Sequence, residues 1–341
     1  MKCLITGIGG FIGSHCLAHL LVHTDWDIVG IDSWNHKGIS ERITSCNHYQ
    51  QNKHRVKIYT HDLNAGISDV LISNIGHVDY IINFASQSHV DRSIDDPVPF
   101  VKNNVNIALN MLEYARVVKP KKFIQIGTDE SYGPTDKDGK HKEWSAILPS
   151  NPYSASKACQ EAIAISYWRT YGVPVILTNT MNNFAEMQDQ EKFIPKVIRS
   201  VITGDKLYIH SDAECKESGS RYWLHARNHA AALLYILNNI EADMYPSTDK
   251  PQRFNIVGEK RVSNVDIALK VADIMGKSLN YELVDAHSSR PGHDLHYGLD
   301  GSKLSEYGWR CPVNLSESLR KTVKWTLDHP EWLGIEDEVT V

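Results

Sequence analysis

The sequence predicts an α/β protein, with a doubly wound parallel sheet in its first half and a smaller C-terminal lobe. Three observations carry that expectation. Short apolar runs of strand length alternate with longer mixed segments of helix length. The run "KKFIQI" at 121–126 reads as a strand buried in an interior. The first run of the chain leads directly into glycines that open a helix.

Taken in order, "KCLIT" (2–6) is a strand and a helix follows from about Phe11 to Val22. "DIVGID" (27–32), "VKIYTHDL" (56–63) and "VDYIINFA" (78–85) are further strands. A helix from about Val98 to Val118 leads to the strand "KKFIQIGT" (121–128). The segment 151–172 reads as one helix, capped by Asn151 or Ser150, with Pro152 in its first turn and Gly172 at its end. "PVILTNT" (174–180) is another strand. Beyond Asn182 the pattern loosens into loops, short strands and helices, with a polar loop "SDAECKESGSR" (211–221). This places one domain over 1–180, with return segments from about 221–257, and a second lobe, built around a ligand, over 181–341.

A chain of 341 residues with 42% hydrophobic content can bury a sizeable core. The net charge of -5 gives no electrostatic case for nucleic acid or an anionic membrane, so any anionic ligand must be held locally. The six cysteines are scattered without CxxC spacing, which suggests neither a disulfide framework nor a zinc site. With no leader-like start and no apolar run of spanning length, the expectation is a cytoplasmic protein.

In "CLITGIGGFIGSHCLAHLL" the glycines at 7, 10 and 13 sit between a strand and a helix. That position needs a tight turn, a backbone that can approach a pyrophosphate, and close helix-to-sheet packing, and glycine meets all three. Asp32 ends the second strand about 20 residues on, where it would meet a ribose hydroxyl pair and repel a 2'-phosphate, which favours NAD over NADP. Gly7, Gly10, Phe11, Ile12, Gly13 and Asp32 are the first cofactor candidates. Asp62, Leu63, Phe84, Ala85 and Ser86, at the ends of later strands, are the next.

"SNPYSASK" puts Tyr153 and Lys157 four apart on one helix face. An ammonium beside a phenol favours the phenolate, so Tyr153 could act as a base while hydride leaves the same carbon. The plainer alternative is a surface Tyr and Lys on an amphipathic helix. "GTDESYG" sets Asp129 and Glu130 side by side where a buried strand stops. Mutual repulsion raises one acid's pKa and allows a shared proton, so one can donate and the other accept. In an extended strand the two would face opposite sides, so the chain must turn here for both to serve one substrate. The plainer reading has Asp129 capping a turn and Glu130 in water.

The glycine motif with "YSASK" resembles the extended short-chain dehydrogenase/reductases. "SHVDRSIDDP", "TDESYG", "NNFAEMQDQEKFIP" and "SRPGHDLHYGLDGSKL" are similar to the nucleotide-sugar 4,6-dehydratases among them. The likeness spans nearly the whole chain, and the "TDE" before "YG" is its most specific part. The resemblance implies a Rossmann-type fold, NAD, and a nucleoside-diphosphate sugar substrate, with dTDP-glucose or a UDP-sugar expected, and a homodimer built on the helices near 98–118 and 151–172. It implies that Tyr153, with Lys157, removes the 4-hydroxyl proton, that Glu130 removes the C5 proton, and that protonated Asp129 assists loss of the 6-hydroxyl. Thr128 would hold the 4-hydroxyl near Tyr153. Asn103 and Asn183 would join the cofactor site. Ser88, Asn182, Lys192, Phe193, Tyr208, His210, Arg221, Asn264, Arg290 and His293 would hold the substrate, the two arginines matching phosphate oxygens.

The sequence departs from this family at Gln87, where glutamate is usual, at Tyr222, where aspartate is usual, at "FAEM" (184–187) and at Asn103, where threonine is usual. These changes bear on the base or sugar recognised. Two other outcomes fit the same residues, a 4-epimerase or a relative that stops at an unsaturated sugar, and a third is a non-catalytic NAD-binding protein. His225 and His229, four apart, have metal-ligand spacing but no acid between them, and no metal is expected.

Overall fold

The computed structural model describes residues 1–35, 37–285 and 295–335. Its centre is a seven-stranded sheet, all parallel. The strands β1 (Lys2–Thr6), β2 (Asp27–Asp32), β3 (Val56–Thr60), β4 (Tyr80–Asn83), β5 (Lys122–Thr128) and β6 (Val175–Thr180) are joined by β11 (Gln252–Ile256) at one edge. The order β11-β6-β5-β4-β1-β2-β3 runs outward in both directions from β1 and β4. The loops leaving the carboxyl ends of β1 and β4 therefore diverge and open a crevice between them, the usual ligand position in such sheets.

Parallel strands buried on both faces need a helical layer on each. In β1, Cys3 and Ile5 point into one core and Leu4 into the other, and in β6 Ile176 opposes Val175 and Leu177 in the same way. One core is closed by α1 (Phe11–His23) against α9 (Ala226–Asn239), through Leu17, Leu20 and Leu21 with Leu233, Ile236 and Leu237. The other is closed by α6 (Pro97–Val118) and α7 (Pro152–Tyr171), with Met111, Leu112, Ala164 and Trp168 fully buried. Each leucine or methionine so buried contributes roughly 1.5–3 kcal/mol. Segments 224–239 and 252–256 thus complete the sheet domain from the far end of the chain.

Local signals fix the helix ends. Asn151 caps α7 in a capping box with Ser154, Pro152 takes the first turn, and Gly172 closes it in the left-handed conformation at φ 66°. Helix α6 opens on Pro97. The second lobe packs α8 (Phe193–Thr203), α10 (Asn264–Ile274) and the helix Leu315–Asp328 around Ile194, Ile198, Trp223, Ile267, Leu319 and Val323. It also carries small sheets that pair β8 (Leu207–Ser211) with Tyr281–Asp285 and β9 (Ser220–Tyr222) with Arg261–Ser263. No helix among the described residues is long and apolar enough to cross a membrane.

Candidate active site

The glycine loop lies at the head of the crevice. A Cβ on Gly13 would sit 2.2 Å from the Gly7 carbonyl oxygen, and one on Gly7, at φ 64°, would press on Ala85 at 3.1 Å. The loop is therefore as tight against α1 and the β4 end as backbone allows. Helix α1 starts with no side-chain cap and no acid in its first turn, so the N–H groups at its start, around Phe11 and Ile12, are available to an anion. Asp32, buried at the end of β2, accepts from Gly9 N at 2.8 Å and Trp34 N at 2.9 Å, and each oxygen keeps a second lone pair for a ribose hydroxyl. These features fit NAD. Among the remaining cofactor candidates, Ala85 N donates to Thr6 Oγ1 at 3.0 Å, and Leu63 is buried in the core with its carbonyl held by Asn110. Asp62 accepts from Asn64 N, and Asn64 in turn reaches the Asn103 amide. Asn183 is anchored by Met181 O and His229.

The two adjacent acids are brought to one side by a turn. At Thr128 the strand β5 ends and the chain enters a 3-10 helix, Asp129–Tyr132, capped by the Thr128 hydroxyl. That hydroxyl donates to Asp129 Oδ1 at 3.0 Å, accepts from Glu130 N at 3.4 Å, and is hydrogen-bonded to the Tyr153 phenol. Asp129 is 4% exposed and its Oδ2 is buried without a partner, so burial pushes its pKa from 3.8 up to about 6, against the pull of Arg221 and Thr128. Glu130 rises from 4.5 to about 7, by burial first and then by the Asp129 charge, against Asn151, Arg221 and Lys192. Both acids are therefore pushed up toward neutrality, and as adjacent buried groups they share their protons as a pair. Burial and mutual repulsion raise the pair together, which leaves room for one acid to hold a proton while the other is ionised.

The Tyr153 and Lys157 pair also differs from expectation. The phenol pKa is raised, by burial and then by Glu130 and Asp129, rather than lowered by the ammonium. The Lys157 ammonium donates instead to Ile126 O and to Gln160 Oε1, both at 2.7 Å. Burial lowers its pKa to about 8, against a smaller opposing pull from Glu161.

Of the substrate candidates, Arg221 and Lys192 extend their charge to the acid pair. Arg221 is buried, donates to Ser220 O at 2.8 Å and to Leu295 O, and lies over the Tyr297 ring at 4.7 Å. Lys192 immediately precedes α8, where burial lowers its pKa. Asn264 opens α10 with Oδ1 buried and unpartnered. Asn182 uses its carbonyl to hold Leu224 N, and Ser88 is exposed in the loop after β4. Phe193 stacks on Trp223 at 5.6 Å and packs against the second lobe's core, so its position is set by packing. On β8, Tyr208 is 60% exposed and His210 half-buried. Arg290 and His293 lie outside the described residues. The histidines of "HARNH" diverge: His225 Nε2 pairs with Glu186 at 3.2 Å, while His229 Nδ1 meets Asn183 Oδ1.

Three contacts around the site were not legible in the sequence. Asn151, read only as a cap, also reaches Glu130 Oε2 at 3.4 Å, and its closeness to Tyr153 was the one available signal. Arg42, fully buried, donates to Gly9 O, Lys37 O and Met187 O and pairs with Asp189 at 3.3 Å, tying the glycine loop to the second lobe. Gln160 receives the Lys157 ammonium. Neither of these last two carries a local signal.

Residues 4–322 match the sequence profile of the GDP-mannose 4,6 dehydratase family. The chain is 31% identical over 357 residues to a dTDP-glucose 4,6-dehydratase of Escherichia coli, covering 98% of this chain and 94% of that one. It is 34% identical over 343 residues to a trifunctional UDP-glucose 4,6-dehydratase, epimerase and reductase of Arabidopsis thaliana, covering 97% of this chain and 48% of that protein. Its fold superimposes on a dTDP-glucose 4,6-dehydratase, DesIV of Streptomyces venezuelae, solved as a double mutant with NAD bound. The TM-score is 0.85 at 28% identity, over 98% of this chain and 99% of that one.

Proposed function

Since the chain belongs to the nucleotide-sugar 4,6-dehydratases of the extended short-chain dehydrogenase/reductase family, we propose that it converts a nucleoside-diphosphate hexose, dTDP-glucose first among them, to the 4-keto-6-deoxy sugar. The observation that supports this most is the Thr128 hydroxyl, which joins Asp129, Glu130 and Tyr153 in one cluster at the end of β5.

When bound, NAD supplies the hydride acceptor for C4 and the hydride donor for C6. Tyr153 takes the proton of the 4-hydroxyl, which Thr128 is placed to hold. The 4-ketone so formed acidifies C5–H, and Glu130 removes that proton. Asp129 gives a proton to the 6-hydroxyl, which leaves as water, and Glu130 returns a proton exchanged with solvent to C5 as the 6-deoxy product forms. With both pKas between about 6 and about 7, the pair holds close to one proton near neutral pH, so acid and base coexist without a large rearrangement. Arg221 and Lys192 are read as ligands of the diphosphate and sugar, since each already directs positive charge to this cluster.

The test is turnover in deuterated water with NAD and a panel of dTDP- and UDP-hexoses, followed by mass spectrometry. Loss of water with one deuterium at C5 is expected, and Glu130→Gln should retain NAD while losing that product. A product of unchanged mass, an epimer, would overturn the dehydratase reading. The Arabidopsis relative makes a UDP-hexose the second substrate to try. We also expect a cytoplasmic homodimer joined through α6 and α7, where Val98 and Val117 are 59% and 62% exposed. Sedimentation at the mass of one chain, 38.5 kDa, would refute the dimer.

A further inference from the structure

The Lys157 ammonium is buried beside a carboxylate it does not pair with. Glu161, one turn further along α7, would be the ordinary partner for a lysine at this spacing. Its carboxylate is committed elsewhere, to Arg253 of β11, to Asn179 Nδ2 at 2.6 Å and to Ser131 Oγ at 3.2 Å. Among the described residues no carboxylate oxygen lies within ion-pair distance of Lys157 Nζ. Two of the three ammonium N–H groups are taken by neutral oxygens, Ile126 O and Gln160 Oε1, each at 2.7 Å.

Gln160 cannot turn its amide round. Its Nε2 donates to the Asn104 carbonyl at 2.8 Å, so Oε1 must face Lys157, and the same oxygen accepts from Gln125 Nε2 at 3.3 Å. The line continues inward. Asn83 Nδ2 donates to Gln125 Oε1 at 2.9 Å, Thr6 Oγ1 to Asn83 Oδ1 at 2.6 Å, and Ala85 N to Thr6 Oγ1 at 3.0 Å. Thr6, Asn83, Asn104, Gln125 and Gln160 are all 0% exposed. A fully paired buried amide line of this kind fixes one orientation for every member. It runs from the strand that precedes the glycine loop to the catalytic lysine.

We infer that Gln160 is a positioning residue: its neutral amide oxygen holds Lys157 as an uncompensated cation with one N–H left for the reacting side of the site. This rests on the reading of Tyr153 and Lys157 as the pair that removes the 4-hydroxyl proton. A carboxylate at position 160 would hold the ammonium as firmly but cancel its charge, and in the reacting complex the phenolate would lose that cation's support; in the ligand-free protein the phenol's pKa is set by burial and the two acids. Of the charged groups, Glu161 on α7 acts on the ammonium, and Arg253 of β11 pairs with Glu161; Tyr153 lies one turn earlier on α7, and the turn after β5, which packs on α7, carries Asp129, Glu130 and Tyr132. Helix α6 and strand β4 present the amides Asn104 and Asn83.

The test is Gln160→Glu, which keeps the side chain's shape. The pH dependence of kcat/KM is measured with dTDP-glucose deuterated at C4, so that oxidation limits the rate, and compared with that of C5 exchange into deuterated water. The acid limb of oxidation should move to higher pH by about one unit, roughly a tenfold loss of rate on that limb, while the C5-exchange limb stays in place. An oxidation limb that does not move, with the rate lowered equally at every pH, is what a purely structural role gives and would overturn the inference. If the Glu variant does not fold, Gln160→Met serves instead: with one acceptor removed the ammonium surrenders its proton more readily, so the alkaline limb of oxidation should move to lower pH, and an alkaline limb left in place would overturn the inference. Tyr153→Phe, run alongside, separates the two readings. Oxidation that survives in it removes the Tyr153 premise, whereas oxidation lost there together with an unmoved Gln160→Glu limb removes only the role of Gln160.

Discussion

Asp129→Asn should make the protein more stable while disabling it, and the gain should depend on pH in a defined way. In the folded chain the Asp129 carboxyl is 4% exposed, with one oxygen unpartnered, and keeps its proton up to about pH 6, against 3.8 ordinarily. The folded state therefore binds more protons than the unfolded chain between those values. Wild-type stability falls as pH rises through that window, and the full penalty persists above about 6. A shift of about two units corresponds to about 3 kcal/mol. Asparagine does not titrate, so the stability of the variant relative to wild type should be level below pH 4, climb between 4 and 6, and be greater by about 3 kcal/mol at pH 8. Any constant cost of placing the asparagine amide shifts the whole curve without changing its shape. Urea unfolding of the ligand-free protein from pH 4.5 to 8 measures it, and turnover should fall about a hundredfold or more in the same variant. A stability difference independent of pH would mean that Asp129 ionises as easily folded as unfolded, and the account of the acid pair would fail with it.

Three further outcomes follow from the geometry. Gly13→Ala forces a methyl to within 2.2 Å of the Gly7 carbonyl, so NAD affinity by titration calorimetry should fall by about 2 kcal/mol or more, and an unchanged affinity would refute the close approach. Arg42→Met leaves Asp189 and three carbonyl oxygens without their donor across 145 residues of sequence; unfolding free energy should drop by about 3 kcal/mol and bound NAD should dissociate faster, with Asp189→Asn a milder version of both. Asn151→Ala removes the α7 cap, at about 1 kcal/mol by urea midpoint. It also removes the donor that holds the Glu130 pKa down, so the acid limb of C5 exchange should move to higher pH.

The sequence by itself determined whatever rests on short-range geometry. Alternating apolar runs and helical segments gave the parallel sheet. The glycines at 7, 10 and 13 marked the tight turn into α1, with Asp32 at the end of the next strand, and Asn151, Pro152 and Gly172 bounded α7. In each case the signal lies within a few residues of its consequence, because turns, caps and strand faces are local backbone choices. Tertiary structure alone decided how the proton chemistry is set. Whether two adjacent acids face one substrate depended on a 3-10 turn after β5, and their proton affinities depended on burial and on Arg221 and Lys192 arriving from the other lobe. From spacing Lys157 was read beside Tyr153, yet its ammonium donates to Gln160 and Ile126 O, while the nearby Glu161 is held by Arg253 of β11. Such choices are competitions among groups far apart in the chain, and a pattern of period 2 or 3.6 records which side a residue faces, not which of several distant groups reaches it.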